Sequence, residues 1–298
     1  TVEYVDVAGL VEGASQGAGR GNEFLEHVRA CDALVQVVRC FENPDVAHVS
    51  GTLDPVADIH TVNLELILAD LAACERAVER LAKQARHEPA LRARVDLLTR
   101  LRTHLEAEAP LRTMTLTADE AHAIREFRFL TAKPVLYLAN VDEDSLPEPS
   151  GPRVDAVRAH AADEQSAVVC ICARFEEDLT QLGHDDAAAF MQEAGLQEAG
   201  LQRLAAATSR LLGLVSFFTF NDTEARAWKI PGGTDARHAA GAIHTDFAEH
   251  FIRAEVTSFA DFDAYGGKKG AHEKGLTRIE GRDYIVQDGD VILFRIGP

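Results

Sequence analysis

Residues 6–10 of this chain read Asp-Val-Ala-Gly-Leu, directly after the apolar run Val2–Val5. An Asp at the end of a strand offers a hard carboxylate oxygen to the hydrated sphere of a magnesium ion. A Gly three residues further on presents a backbone N–H to a phosphate with no side chain in the way. Gly13, Gly17, Gly19 and Gly21 continue the segment as a glycine-rich loop. Asp6 is thus a candidate metal ligand, and Asp6 and Gly9 are candidate nucleotide contacts. The complementary half of a phosphate site, Gly-x-x-x-x-Gly-Lys-Ser/Thr, occurs nowhere in the 298 residues. Within this chain the phosphate site is half built.

Four apolar runs, Val2–Val5, Leu34–Val38, Val135–Ala139 and Ala167–Ile171, read as strands, and helical patterns separate them. That alternation predicts a doubly wound, mostly parallel sheet whose ligands sit beyond the carboxyl ends of the strands. Each run ends in an unusual residue: Asp6, then Arg39-Cys40-Phe41, then Asn140, then Cys172-Ala173. Apolar residues three and four apart, from Leu64 through Ile67, Leu71, Cys74 and Val78 to Leu81, predict a coiled-coil seam. Pro89 can open a second helix with Leu91, Val95, Leu98, Leu101 and Leu105 on one side, giving an antiparallel hairpin inserted into the sheet domain. A helix over about Leu201–Leu212 closes that domain. Beyond Gly213 the pattern predicts a hairpin (Leu214–Phe220, Glu224–Ile230), a helix near Ala239–His250, a strand at Ile252–Thr257, and two last strands at Asp283–Val286 and Val291–Ile296. This is a small β-grasp module.

A net charge of −18 argues against broad attraction to nucleic acid. The exception is the stretch from Arg76 to Arg102, whose eight basic residues face only Glu79, Glu88 and Asp96. It is either a local footprint for phosphate or, as charge alone favours, a solvated helical face. No apolar run approaches membrane-spanning length, and five scattered cysteines without zinc spacing fit reduced thiols in the cytoplasm. The chain starts at Thr1, already in strand-like sequence, so a truncated N-terminus is expected.

Residues 6–15 (Asp-Val-Ala-Gly-Leu-Val-Glu-Gly-Ala-Ser), 38–43 (Val-Arg-Cys-Phe-Glu-Asn), 48–51 (His-Val-Ser-Gly) and 138–143 (Leu-Ala-Asn-Val-Asp-Glu) resemble the YchF, or Obg-like ATPase, subfamily of P-loop GTPases. So do 226–231 (Arg-Ala-Trp-Lys-Ile-Pro), 239–247 (Ala-Ala-Gly-Ala-Ile-His-Thr-Asp-Phe), 251–254 and 283–290. The resemblance spans nearly the whole chain. It implies an α/β fold: an incomplete doubly wound P-loop NTPase (G domain) sheet over 1–63 and 127–213, an inserted antiparallel helical coiled coil over 64–126, and a C-terminal β-grasp TGS domain over 214–298. It also implies a cytoplasmic, monomeric switch that hydrolyses ATP with Mg2+, handles GTP less well, and serves translation or stress regulation. Ribosome or RNA contact would run through the coiled coil and TGS domain, with no membrane association.

The same resemblance suggests how ATP is preferred. Guanine readers use Asn-Lys-x-Asp, whose last carboxylate binds the guanine N1–H and N2 amine; here the segment is Asn140-Val141-Asp142-Glu143. Asn140 would accept from an exocyclic amine and donate to N7. Phe41 and Val141 would pack the base, and Cys172, Ala173 and Arg174 would line it, with Glu143 alongside. Taken singly, Phe41 could equally be a core aromatic and Asn140 a turn residue. In Ras-like enzymes a Gln after Asp-x-x-Gly orients the attacking water; here Leu10 stands there and cannot. The resemblance moves that role to His48, a loop histidine whose imidazole can accept a proton. His244, Asp246 and His250 lack the i, i+4 spacing of a metal pair and read as structural or partner-facing.

Departures from the subfamily include Glu12 and Arg20 in the switch-like loop and His250 in the TGS helix. With the first strand, phosphate loop, first helix and first switch missing, this chain alone is expected to be inactive and poorly stable or prone to aggregate, and the alternative to the ATPase switch is a non-enzymatic ribosome-, RNA- or protein-binding module.

Overall fold

A computed structural model describes residues 2–7, 20–43, 53–221 and 223–297. The chain divides into two compact units, Tyr4–Thr208 and a second made of Ser209–Pro298 with Thr1–Glu3.

In the first unit, α1 (Arg20–Ala30) precedes β1 (Leu34–Arg39) and the 30-residue α2 (Pro55–Gln84). A 3-10 turn at Pro89–Leu91 opens α3 (Arg92–Glu106), and α4 (Ala118–Ile124) follows. Then come β2 (Val135–Asn140), α5 (Pro152–Asp163), β3 (Ala167–Ile171), α6 (Ala173–Gln181), α7 (His184–Glu193) and α8 (Gly200–Leu211). The strands form a parallel sheet in the order β1-β2-β3. Arg39 pairs with Asn140, and Asn140 with Ile171, so all three carboxyl ends reach one edge. β2 is buried along its length apart from Asn140, as a parallel strand between two neighbours should be.

Asp54 starts α2 by accepting the N–H groups of Val56 and Ala57, both at 3.1 Å, with Pro55 preset for the first turn. The helix then serves two cores. Ile59 packs with Val38, Val135, Tyr137, Val157 and Ala161 of the sheet layer. Further along, Ile67, Cys74, Ala77 and Leu81 pack with Leu97, Leu98, Leu101 and Leu105 of α3. The seam therefore begins at Ile67; Leu64 stands 40% exposed because α2 at that level is turned by Leu66 towards Leu25, Val28 and Leu130.

Two buried polar groups fasten this helix. Asp70, fully buried, accepts the N–H groups of Leu130 (2.8 Å) and Thr131 (2.7 Å) and the Thr131 hydroxyl (2.7 Å). Burial pushes its carboxyl above the ordinary range, while those three donors favour the carboxylate. Nearer the sheet, Arg112 donates to Asn63 (2.8 Å) and Glu164 (3.0 Å), and the Tyr137 hydroxyl donates to the same carboxylate at 2.8 Å.

Val2–Val5, expected as a strand, makes no ladder pairing among the described residues, and Tyr4 and Val5 are 51% and 54% exposed. An apolar run supplies the side chains of a strand but not the neighbour that satisfies its backbone.

In the second unit, β4 (Leu214–Phe220) and β5 (Ala225–Pro231) form the expected hairpin. Asn221 closes it by accepting the N–H groups of Thr223 and Glu224. Next come α9 (Ala236–Ile243), α10 (Thr245–Glu249), β6 (Phe251–Ser258), α11 (Phe259–Ala264), α12 (Lys268–Glu273), β7 (Arg278–Glu280) and β8 (Asp290–Ile296). The mixed sheet has the order β5-β4-β8-β6-β7, with β4 and β8 parallel. Ala236 and Ala239 of α9 pack on Phe217, Ile230, Ala254, Val256 and Ile292.

Two expectations need correction here. Asp283–Val286 is not a strand: Tyr284 and Val286 spend their backbone groups on Ala236 and Thr234 at the start of α9, and only Ile285 forms a bridge, to Asp235. The helix expected over Ala239–His250 is two helices. His244 breaks it in an extended conformation and caps α10, its Nδ1 accepting the Asp246 N–H at 3.3 Å.

Candidate functional site

Beyond the carboxyl ends of β1, β2 and β3 lies a cleft of about 400 Å³, lined by Phe41, Asn43, Asn140, Val141, Asp142, Glu143, Asp144, Cys172 and Arg174. It exists because three segments turn away from the sheet at the same level. The Cys40 N–H donates to the Asn140 carbonyl at 2.8 Å, and the Val141 N–H to the Ile171 carbonyl at 2.8 Å, so the ladder runs one step past the strands before the chains diverge. Val141 and Cys172 are buried in the floor with Ala139, Cys170, Val154 and Phe175. Glu143 and Arg174 are exposed.

Asn140 ties two of these segments together. Its Oδ1 accepts the N–H of Ala173, the first residue of α6, at 3.0 Å. That N–H is one of the unpartnered donors of a helix start, and Cys172, in the cap position, makes no side-chain bond to it. With the oxygen turned inwards, the amide nitrogen is the atom left to face a ligand.

The first turn of α6 is braced by Glu176. This buried carboxylate accepts the N–H groups of Gly200 at 2.6 Å and Leu201 at 3.1 Å, the opening residues of α8. A Cβ on Gly200 would lie 2.6 Å from Glu176 Oε1 and 2.7 Å from Ile171 Cγ2, so only glycine permits this approach. On the β1 side, Arg39 donates to the carbonyls of Phe41 (3.1 Å) and Asn43 (3.0 Å), and Glu42 is ion-paired with Arg153 of α5. Burial pushes the Cys40 thiol up to about 11 and raises Cys170 as well, so neither supplies a thiolate near pH 7.

Of the residues expected at a site, Phe41, Asn140, Val141, Glu143, Cys172 and Arg174 share this cleft, and Ala173 adjoins it through its bond to Asn140. Asp6 is exposed and is not among the lining residues. Gly9, Leu10 and His48 lie outside the described residues. Asn43, Asp142 and Asp144 line the cleft without having been singled out in the sequence, although Asp142 and Asp144 flank Glu143 and their position follows from it. Among the described residues no three His, Cys, Asp or Glu side chains gather as a metal cage. Asp6 still fits magnesium by donor chemistry, since that ion takes one or two carboxylates and fills its octahedron with water and phosphate oxygen.

Residues 214–297 match the family YchF-GTPase_C, described as "Protein of unknown function (DUF933)". The chain is 48% identical over 295 residues to the ribosome-binding ATPase YchF of Escherichia coli O157:H7, which covers 99% of this chain and 81% of that protein. Its identity to the ribosome-binding ATPase YchF of Haemophilus ducreyi is 47% over 296 residues, with the same coverage. The solved structure of the Schizosaccharomyces pombe YchF GTPase aligns with a TM-score of 0.84 at 30% identity, covering 97% of this chain and 78% of that one. A parallel sheet with a cleft beyond its carboxyl ends, together with a mixed β-sheet unit, makes this an α/β protein of the Obg-like GTPase class. Within that class the chain belongs to the YchF family.

Proposed function

We propose that the cleft receives the purine base of ATP and that the chain acts as a nucleotide-dependent switch whose partner is the ribosome. The observation that carries this reading is convergence: six residues nominated from three separate strand ends share one cleft of about 400 Å³. The relatives' name, ribosome-binding ATPase, supports the activity and the partner. A base packs between Phe41 and Val141 and takes a hydrogen bond at N7 from the Asn140 amide nitrogen, whose oxygen is engaged by Ala173. Among the described lining residues, Asp142, Glu143 and Asp144 put three carboxylates at the cleft, against one cation from Arg174. That balance suits a neutral base and turns the phosphates away. Glu143, one methylene longer than the Asp of guanine readers, gives up guanine's N1–H and N2 amine, which costs adenine nothing.

Asp6 would hold Mg2+, which when bound neutralises charge on the terminal phosphates. Gly9 would donate its N–H to them, and His48, in place of the glutamine that Leu10 replaces, would orient water. In this division the sheet segments 1–63 and 127–213 bind nucleotide, and the hairpin 64–126 and residues 214–298 meet the ribosome. On the hairpin, Lys83, Arg94, Arg100 and Arg102 are ion-paired to carboxylates, which reduces the charge left for RNA.

Titration with ATP and GTP, with and without Mg2+ and followed by ligand-observed NMR to millimolar concentration, tests the reading together with ribosome co-sedimentation. ATP should bind more tightly than GTP, and Glu143→Asp should narrow the gap. Ribosome binding that persists without any saturable nucleotide signal would identify a non-enzymatic binding module instead.

A further inference from the structure

The cleft's aromatic residue has a partner on its protein side. Arg39, the last residue of β1, holds its guanidinium carbon 4.8 Å from the centroid of the Phe41 ring. The same guanidinium donates to the carbonyls of Phe41 at 3.1 Å and Asn43 at 3.0 Å. Phe41 and Asn43 line the cleft, Arg39 is not among its described lining residues, and the cation lies over one face of the ring. We propose that Arg39 is a positioning residue for the base of a purine nucleotide. It clamps the 39–43 turn and backs Phe41, so that a bound base completes a three-layer stack of guanidinium, phenyl and purine. This rests on the nucleotide reading of the cleft.

Three properties of arginine suit the task. Its charge is attracted to the ring's electron-rich face. Its planar, weakly hydrated head stacks where a lysine ammonium does not. Its two carbonyl bonds fix the turn before any ligand arrives, so less ordering remains to be done on binding. A stack reads the π face that adenine and guanine share, not the edge where they differ. Arg39 therefore sets the affinity for purine nucleotides and leaves the choice between them to Asn140 and Glu143.

The test compares wild type, Arg39→Met, Arg39→Lys, Phe41→Leu and the Arg39→Met/Phe41→Leu double variant, titrated with ATP and GTP by ligand-observed NMR. Arg39→Met should weaken both nucleotides by the same factor, roughly five- to tenfold. At saturation it should also reduce the upfield ring-current shift of the base protons relative to the ribose protons. In the Phe41→Leu background it should add nothing, and Arg39→Lys, which keeps the charge, should recover only part of the loss. Each variant's melting temperature verifies that it is folded; if Arg39→Met is not, Arg39→Lys carries the same comparison. An unequal effect on ATP and GTP, full additivity with Phe41→Leu, or wild-type affinity in Arg39→Met overturns the role of Arg39 while leaving the nucleotide site standing. Absence of any saturable nucleotide signal in wild type overturns both.

Discussion

Asn140 holds two jobs in one amide, and two substitutions separate them. The oxygen accepts the Ala173 N–H at 3.0 Å and so caps α6 from a neighbouring strand; the nitrogen is the proposed donor to the base. Asn140→Asp keeps an acceptor at the first position and removes the donor at the second. A carboxylate at a helix N-terminus is also favourable, by about 0.3–1 kcal/mol. Stability should therefore match or slightly exceed wild type. Asn140→Ala removes both groups. Because Asn140 is half-buried, water can partly replace the lost cap, and the cost should be about 1 kcal/mol, a fall in melting temperature of roughly 2–4 °C for a unit of this size. Both variants should lose ATP affinity. A lost neutral hydrogen bond is worth about 0.5–1.5 kcal/mol, or roughly tenfold at the upper end, and in Asn140→Asp the new carboxylate adds repulsion from the N7 lone pair. Thermal melts and NMR titration of the three proteins read the two effects separately. The two roles of Asn140 are refuted if Asn140→Asp melts as low as Asn140→Ala, or if it binds ATP like wild type.

Other consequences follow from groups away from the base. Asp70→Ala would strand three buried donors at Leu130 and Thr131 and should cost about 3 kcal/mol or more in denaturant unfolding of the first unit; a loss below about 1 kcal/mol would mean those donors find other partners. Gly200→Ala drives a methyl group against Glu176 and Ile171, and a destabilisation of about 1–3 kcal/mol is expected, with Glu176→Gln failing to relieve the contact with Ile171. In the second unit, the His238 backbone N–H, and then its side chain, hold the Asp235 carboxyl below its usual value of 3.8. That stabilisation is present above pH 3.8 and disappears as the pH falls through the lowered value. Asp235→Ala should therefore cost about 1 kcal/mol near neutrality and almost nothing in strong acid, when melts at the two pH values are compared.

The sequence made legible what is local or repeats along one element. β1, β2 and β3 declare themselves because each is a short run of almost entirely apolar residues, and the α2–α3 core because leucines recur at helical spacing. The residues at those strand ends were legible for the same reason: Phe41, Asn140 and Cys172 stand at or within two residues of strand ends that can be counted. What stayed hidden depends on distant partners. Asp70 is an acidic residue on a long helix until Leu130 and Thr131, some sixty residues away, fold against it. β7 is three residues long, too short for alternation to register, and exists through pairing with β6. Asp283–Val286 has a strand's composition but spends its hydrogen bonds on the start of α9. Arg39 reads as an ordinary strand-end cation until the turn brings Phe41 over it.

The double duty of α2 has a mechanical consequence. A straight helix of 30 residues is about 45 Å long. Its early turns are seated on the sheet through Ile59, and its later turns belong to the hairpin. The helix is thus a lever with its fulcrum beside the strands. A tilt of about 10° about Ile59, produced by shifts of an ångström or so among Val38, Tyr137 and Val157, would sweep the far end near Gln84, about 37 Å away, through about 6 Å. Magnified displacement comes with weakened force, so the hairpin tip is suited to reporting position to a partner rather than to pulling on it.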